Sequence, residues 1–315
     1  MRIVRFNVVG EPVSRARTGV LLAGDVVGDL RAGYAACLLA QDRDEQARAL
    51  AALRVPPDVQ LILHHGVPAR QALERAAAWL GETLIRSPGA TGPDGEALFV
   101  PLAQARLHNP LKPGRLLVVT DNRAGSDAPV VQEWYWHAVM GPVRDLSLPA
   151  ALAGKGLDYG TGIAVVMART IHHADAAAAA AAISGYMVAN VVHGALPPDA
   201  GDLTGDVGFR RCLIGPALVD AAEVADPSAL RLTTRVNGKD VQAGTTAALA
   251  WPLPRLVARL SRYGLEAGDV IVTGLLSDRQ PAGSAAVPRL REGDLLESVA
   301  EGLGAMRNRV VREGP

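Results

Sequence analysis

Short apolar runs, rich in β-branched side chains, recur along this chain of 315 residues. In the first third they predict strands over residues 3–9, 18–22 and 59–63. Apolar positions three and four apart predict helices over residues 42–53 and 69–80. Residues 88–94 hold two prolines and two glycines and read as a turn-rich break. Asn109-Pro110-Leu111-Lys112-Pro113-Gly114 reads as a linker, because two prolines and a glycine resist both helix and ladder. Beyond Arg115 the pattern becomes mostly strands, over residues 116–120, 163–167, 186–192, 230–236 and 270–273. The alanine run over 174–183 predicts a helix by propensity, and residues 254–262 predict a second. Together these predict a small α+β domain over 1–108 and a larger, mostly β domain over 109–315.

Composition narrows the function without naming it. Lys and Arg total 32, as do Asp and Glu, so no basic field draws the chain to nucleic acid. Aromatics are 4%, which leaves few platforms for stacking bases. Cys37 and Cys212 are far apart and unpatterned, the usage of a reducing cytoplasm. Arginines interrupt the apolar residues of positions 1–10, unlike a signal peptide. The run over 174–192 is mostly alanine and carries Asp175, Ser184 and Asn190, so it is not read as a membrane span. No dinucleotide fingerprint, nucleophile elbow or Cys/His zinc spacing appears, and Gly154-Lys155-Gly156 lacks the rest of a phosphate loop. No cofactor is expected.

Several blocks, in order, carry a resemblance. They are Leu157-Asp158-Tyr159-Gly160-Thr161-Gly162-Ile163, Gly185-Tyr186-Met187-Val188-Ala189-Asn190-Val191, Leu213-Ile214-Gly215-Pro216, Val236-Asn237-Gly238 and Gly268-Asp269-Val270-Ile271-Val272-Thr273-Gly274. The chain resembles the fumarylacetoacetate hydrolase superfamily over about its last two thirds. That resemblance implies a curled, mixed β-roll with the active cleft at its mouth, and a homodimer. It also implies a magnesium or calcium ion held by two glutamates and an aspartate. Those positions here are Gly160, Gly162 and Val191. Residues two apart on a strand share a face, a spacing that lets two carboxylates converge on one ion. Glycine and valine offer no side-chain oxygen, and such ions need several. No metal is therefore expected in the family manner. The family's acid–base aspartate and histidine fall on Gly125 and Ser126, and a pocket lysine falls on Asp206.

The candidate residues emerge from these departures. Gly160 and Gly162 leave room for a ligand bulkier than the family's. His193 follows the strand of the missing aspartate and suits proton transfer near neutral pH, as Asp206 could. Arg210 offers a planar donor fork to a carboxylate or enolate oxygen. Thr273 and Gly274 match the family closely, and the resemblance places the threonine at the substrate pocket. Tyr159 also matches and is a candidate binding residue, with a structural role as its other reading. His137 sits in an aromatic packing segment, and Asp278 and Arg279 mark a loop that departs from the family. The expected function is a metal-independent enzyme acting on an enolisable oxo acid, β-dicarbonyl or polyketide-like molecule. Isomerisation, cyclisation and C–C cleavage all fit. The other reading is a catalytically inactive protein that binds a ligand or partners an active relative.

Overall fold

A computed structural model describes residues 1–122, 128–195, 208–273 and 288–313. Strands β1 (Arg2–Val8), β2 (Arg17–Leu22) and β3 (Val26–Asp29) form an antiparallel meander. Helices α1 (Leu30–Cys37), α2 (Ala47–Arg54), α3 (Val59–His64) and α4 (Val67–Arg86) come next. Then β4 (Phe99–Pro101) and β5 (Ala105–His108) return to pair with β3 and β1.

The apolar run over 59–63 forms α3 rather than a strand. The Asp58 carboxylate accepts from the Gln60 N–H at 2.9 Å and caps the first turn. Val59 and Ile62, three apart, are both buried against the helical core. Burying such a pair stabilises by roughly 3–5 kcal/mol, more than β propensity can offset. The alanine helix is shorter than its composition predicts. Only α5 (Ala176–Ala180) is helical, capped by Asp175, and the chain turns extended at Ile183 to join a ladder. Helices this short owe little to propensity, so strand pairing decides where this one ends.

The remaining strands build two packed sheets. β6 (Leu116–Asp121), β7 (Val130–Trp134), β8 (Val139–Met140), β10 (Asp158–Met167), β11 (Ile183–Ala195), β12 (Gly208–Ile214), β13 (Ala217–Asp220) and β16 (Val270–Val272) extend the first sheet. Its order runs β4-β3-β2-β1-β13-β11-β10-β16-β6-β7. β1 pairs antiparallel with β13, with Ile3 opposite Leu218, so the N-terminal meander and the C-terminal β-roll share one sheet. The second sheet has the order β15-β14-β17-β18-β9. Its strands are β9 (Leu146–Leu148), β14 (Arg231–Val236), β15 (Lys239–Thr245), β17 (Leu295–Ala300) and β18 (Gly304–Arg312).

β10 is the central strand, and all of it after Asp158 is buried. Ile163, Val165 and Met167 face the core between the sheets, with α6 (Leu253–Leu260) packed on it. Ala164 and Val166 face the core shared with the N-terminal helices. The fold is α+β and mostly β, a mixed β-roll. Among the described residues no helix is long and apolar enough to cross a membrane.

Candidate active site

The site is set by the register of β10, β11 and β12. Gly160 lies opposite Val191, and Gly162 opposite Ala189. Directly opposed residues in an antiparallel pair share a face. Asp158, Gly160 and Gly162 therefore share a face with Ala189, Val191 and His193. On β12, Cys212 lies opposite Val191 and Arg210 opposite His193. The apolar part of this face is the buried Ala189, Val191 and Cys212. Its end carries a cross-strand row of Asp158, His193 and Arg210. Both glycines are buried, whereas His193 is exposed.

Each member of the row has a local anchor. Opposed Cβ atoms lie about 4.5–5.5 Å apart, so His193 stands between Asp158 and Arg210 on adjacent strands. Arg289 donates from Nη2 to Asp158 Oδ2 at 3.1 Å. The Arg210 guanidinium carbon lies 5.6 Å from the ring centre of buried Trp134, a cation–π distance. Asp158 is the residue that sequence reasoning missed. Only the register that sets it opposite His193 reveals it.

Beneath the glycines is a buried polar network. The Gly160 N–H donates to Asn190 Oδ1 at 3.2 Å. Asn190 Nδ2 donates to Thr161 Oγ1 at 3.1 Å and to Ser298 Oγ at 2.8 Å. Thr161 and Thr234 share a hydroxyl–hydroxyl bond of 2.7 Å. Asn190, Thr161, Thr234 and Ser298 are all at most 1% exposed. A satisfied network of this kind rigidifies its surroundings and ties β10 and β11 to the second sheet.

The structure separates the other predicted residues. Tyr159 lies on the opposite face of β10 from the glycines, in the core between the sheets. Burial pushes its phenol up to about 12, with Asp294 and Asp158 adding to the shift. Thr273 is buried beside the glycine strand, and its hydroxyl is held at 3.3 Å from both the N–H and the C=O of Ile163. Arg210 and His193 come together, as do Gly160 and Gly162. Asp206 and Gly274, together with Gly125, Ser126, Asp278 and Arg279, lie outside the described residues. His137 stacks on Tyr135, with ring centres 5.3 Å apart.

Gly160, Gly162 and Val191 thus face one way and present no side-chain oxygen. A hard divalent cation takes six or more oxygen ligands, so this donor set does not fit one. Among the described residues no three His, Cys, Asp or Glu side chains group as a metal site.

The two packed sheets and the buried β10–β11 pair define a β-roll of the fumarylacetoacetate hydrolase type. The fumarylacetoacetate (FAA) hydrolase C-terminal family matches residues 122–311, and the chain belongs to that family. An uncharacterized protein of Archaeoglobus fulgidus is 33% identical over 236 residues, covering 70% of this chain and 89% of that one. The human mitochondrial oxaloacetate tautomerase FAHD2A is 30% identical over 198 residues, or 58% of this chain. The match spans only 59% of that relative's length. In fold, the chain is similar to the maleylpyruvate hydrolase of Sphingobium sp. SYK-6 in complex with manganese(II) and pyruvate. That likeness has a TM-score of 0.68 at 22% identity and covers 100% of both chains.

Proposed function

We propose that this protein is an enzyme that moves a proton on a small enolisable oxo acid without a divalent cation. The observation that carries this reading is the row of Asp158, His193 and Arg210 at the edge of the Gly160–Gly162 face. His193 takes a proton from the carbon beside the oxo group. The C–H electron pair becomes a C=C bond, and the carbonyl pair moves to the oxygen as an enolate. Return of the proton to that oxygen gives the enol, so only a C–H and an O–H bond are exchanged. Arg210 donates to the enolate or carboxylate oxygen, where a planar fork binds two acceptors at once. Asp158, fixed by Arg289, orients the imidazole. Gly160, Gly162 and Val191 offer a cation no side-chain oxygen, so the stabilising charge falls to the guanidinium and to backbone N–H groups. The tautomerase activity named for the human relative is chemistry of this class, and ring closure or C–C cleavage would begin with the same enolate.

The test uses oxaloacetate as probe, with its keto–enol conversion followed by ultraviolet absorbance on chelator-treated protein. Turnover should survive the chelator. His193→Gln should lower kcat by about 10²–10⁴-fold, the usual contribution of a general base. Its melting temperature should not change, because His193 is exposed. Undiminished turnover in His193→Gln, or activity that a chelator abolishes and magnesium restores, overturns the proposal. Binding of oxo acids with no turnover of any would favour a catalytically inactive binder instead.

A further inference from the structure

A cleft of ≈ 480 Å³ lies apart from this site, and none of its lining residues belongs to β10, β11 or β12. It forms where β1 and β5 meet the segment after β8. Arg5 lies opposite His108 across the β1–β5 ladder, and Arg106 is two residues earlier on β5. Alternation therefore sends all three to one face. Lys112 and Arg144 close the sides, and the indole of Trp136, 55% exposed, lies at the rim. Among the described residues no Asp or Glu lines the cleft.

What marks this cleft is the gathering of several cations around one concavity. Arg17, Arg48, Arg75 and Arg231 each hold a carboxylate. Among the described residues Arg5, Arg106, Lys112 and Arg144 hold none. The chain as a whole is neutral, with 32 basic and 32 acidic residues, so general basicity does not explain four unpaired cations around one concavity. Low-dielectric walls lined by one sign of charge focus the field and concentrate counter-ions. His108 adds a directed group. Asn7 Nδ2 donates to Val8 O at 2.9 Å and Glu11 O at 2.8 Å, so Asn7 Oδ1 accepts from His108 Nε2. The imidazole is thereby fixed in orientation. Burial, then Arg5 and Arg106, push its pKa below the usual value. An anion in the cleft would offset those two guanidinium charges.

We propose that this cleft is a second ligand site that takes a small organic anion bearing two or more carboxylate or phosphate groups. Its volume falls within the range of small-molecule sites. Arginine forks bind either group bidentately. The exposed indole offers a flat apolar surface to the carbon skeleton.

Titration calorimetry with citrate and with pyrophosphate tests this on the full chain. At low salt one of them should bind with one-to-one stoichiometry, and the preferred probe tells carboxylate from phosphate as the natural group. Binding should weaken steeply as sodium chloride is raised, as screening of exposed charges requires. Arg5→Gln/Arg106→Gln should weaken it at least tenfold. Lys112→Gln/Arg144→Gln changes loop residues instead of a ladder and should do the same, which guards against misfolding of the first variant. Arg231→Gln, on the far sheet, should leave affinity unchanged. The proposal is overturned if neither probe binds at low salt. It is also overturned if both double variants bind like the parent, or if sedimentation shows them converting a dimer to monomer. The last result would make the cleft an interface between two copies of the chain.

Discussion

Replacing Tyr159 by Phe removes one hydroxyl from the core between the sheets. The residue is 4% exposed, and its hydroxyl is buried with no hydrogen-bond partner among the described residues. A buried hydroxyl left unpaired costs about 1–3 kcal/mol. Its removal leaves a gap one oxygen wide, which forfeits only a few contacts of about 0.1–0.2 kcal/mol each. The net expectation is a variant about 1 kcal/mol more stable than the parent. In a chain of this size that is a rise of about 1–2 °C in melting temperature. A second signature comes from titration. In the folded protein the phenol is raised from 10.0 to about 12, so it keeps its proton after the unfolded chain has lost one. Between those values the folded state binds more protons, and the stability of the parent falls as pH rises. Phe cannot ionise, so the variant should lack that one-proton slope. Urea unfolding followed by tryptophan fluorescence at pH 8 and pH 11 measures both effects. A variant less stable than the parent at pH 8, or with the same alkaline slope, would show that the hydroxyl has a partner. Turnover should be unchanged, because Tyr159 faces away from the glycines. A raised KM at unaltered stability would return it to the substrate pocket.

Two further outcomes are expected. Asn190→Ala should cost about 3 kcal/mol, because it strips partners from Gly160 N–H, Thr161 and Ser298 in a fully buried setting. A shift in the urea midpoint worth less than about 1 kcal/mol would refute the role given to the network. Gly160→Val/Gly162→Val should abolish binding and turnover of oxo acids, at a stability cost of about 1–3 kcal/mol because both glycines are buried. Calorimetry and thermal unfolding check this, and undiminished turnover would show that the ligand does not use this face.

The parts of the fold legible in the sequence are those where one local rule dominates. β10 shows as a run of buried apolar residues because a central strand is covered on both faces. The spacing of Gly160 and Gly162 already implied a shared face, and the register with Val191 agrees. Residues 59–63 misled because a six-residue apolar segment satisfies both periods, and the deciding Asp58 cap lies outside the run. The alanine segment misled for the opposite reason. Its propensity is real, but the ladder opposite Met167 takes the chain from Ile183 onward. Asp158 was invisible as a site residue because its importance lies in who faces it. His193 is 35 positions away and Arg210 is 52 away in sequence, and only strand register brings the three together. The link between β1 and β13 is of the same kind, since nothing local in residues 2–4 names residues 217–219 as their partners.

The same arrangement explains how a strand with two glycines remains the centre of the fold. Glycine inside an element costs about 0.5–1 kcal/mol relative to alanine, and it gives up side-chain packing on its own face. β10 bears that cost twice within three residues. Compensation comes from below, where Asn190 fixes the Gly160 N–H and Thr161 reaches Thr234 in the second sheet. It also comes from the ladder, which pairs every residue of β10 with β11. Support for the backbone therefore does not depend on what stands on the upper face at 160 and 162. The same ladders hold Asp158, His193 and Arg210 in fixed register at the edge of the face. The chemistry of the site then rests on groups that the sheet itself aligns.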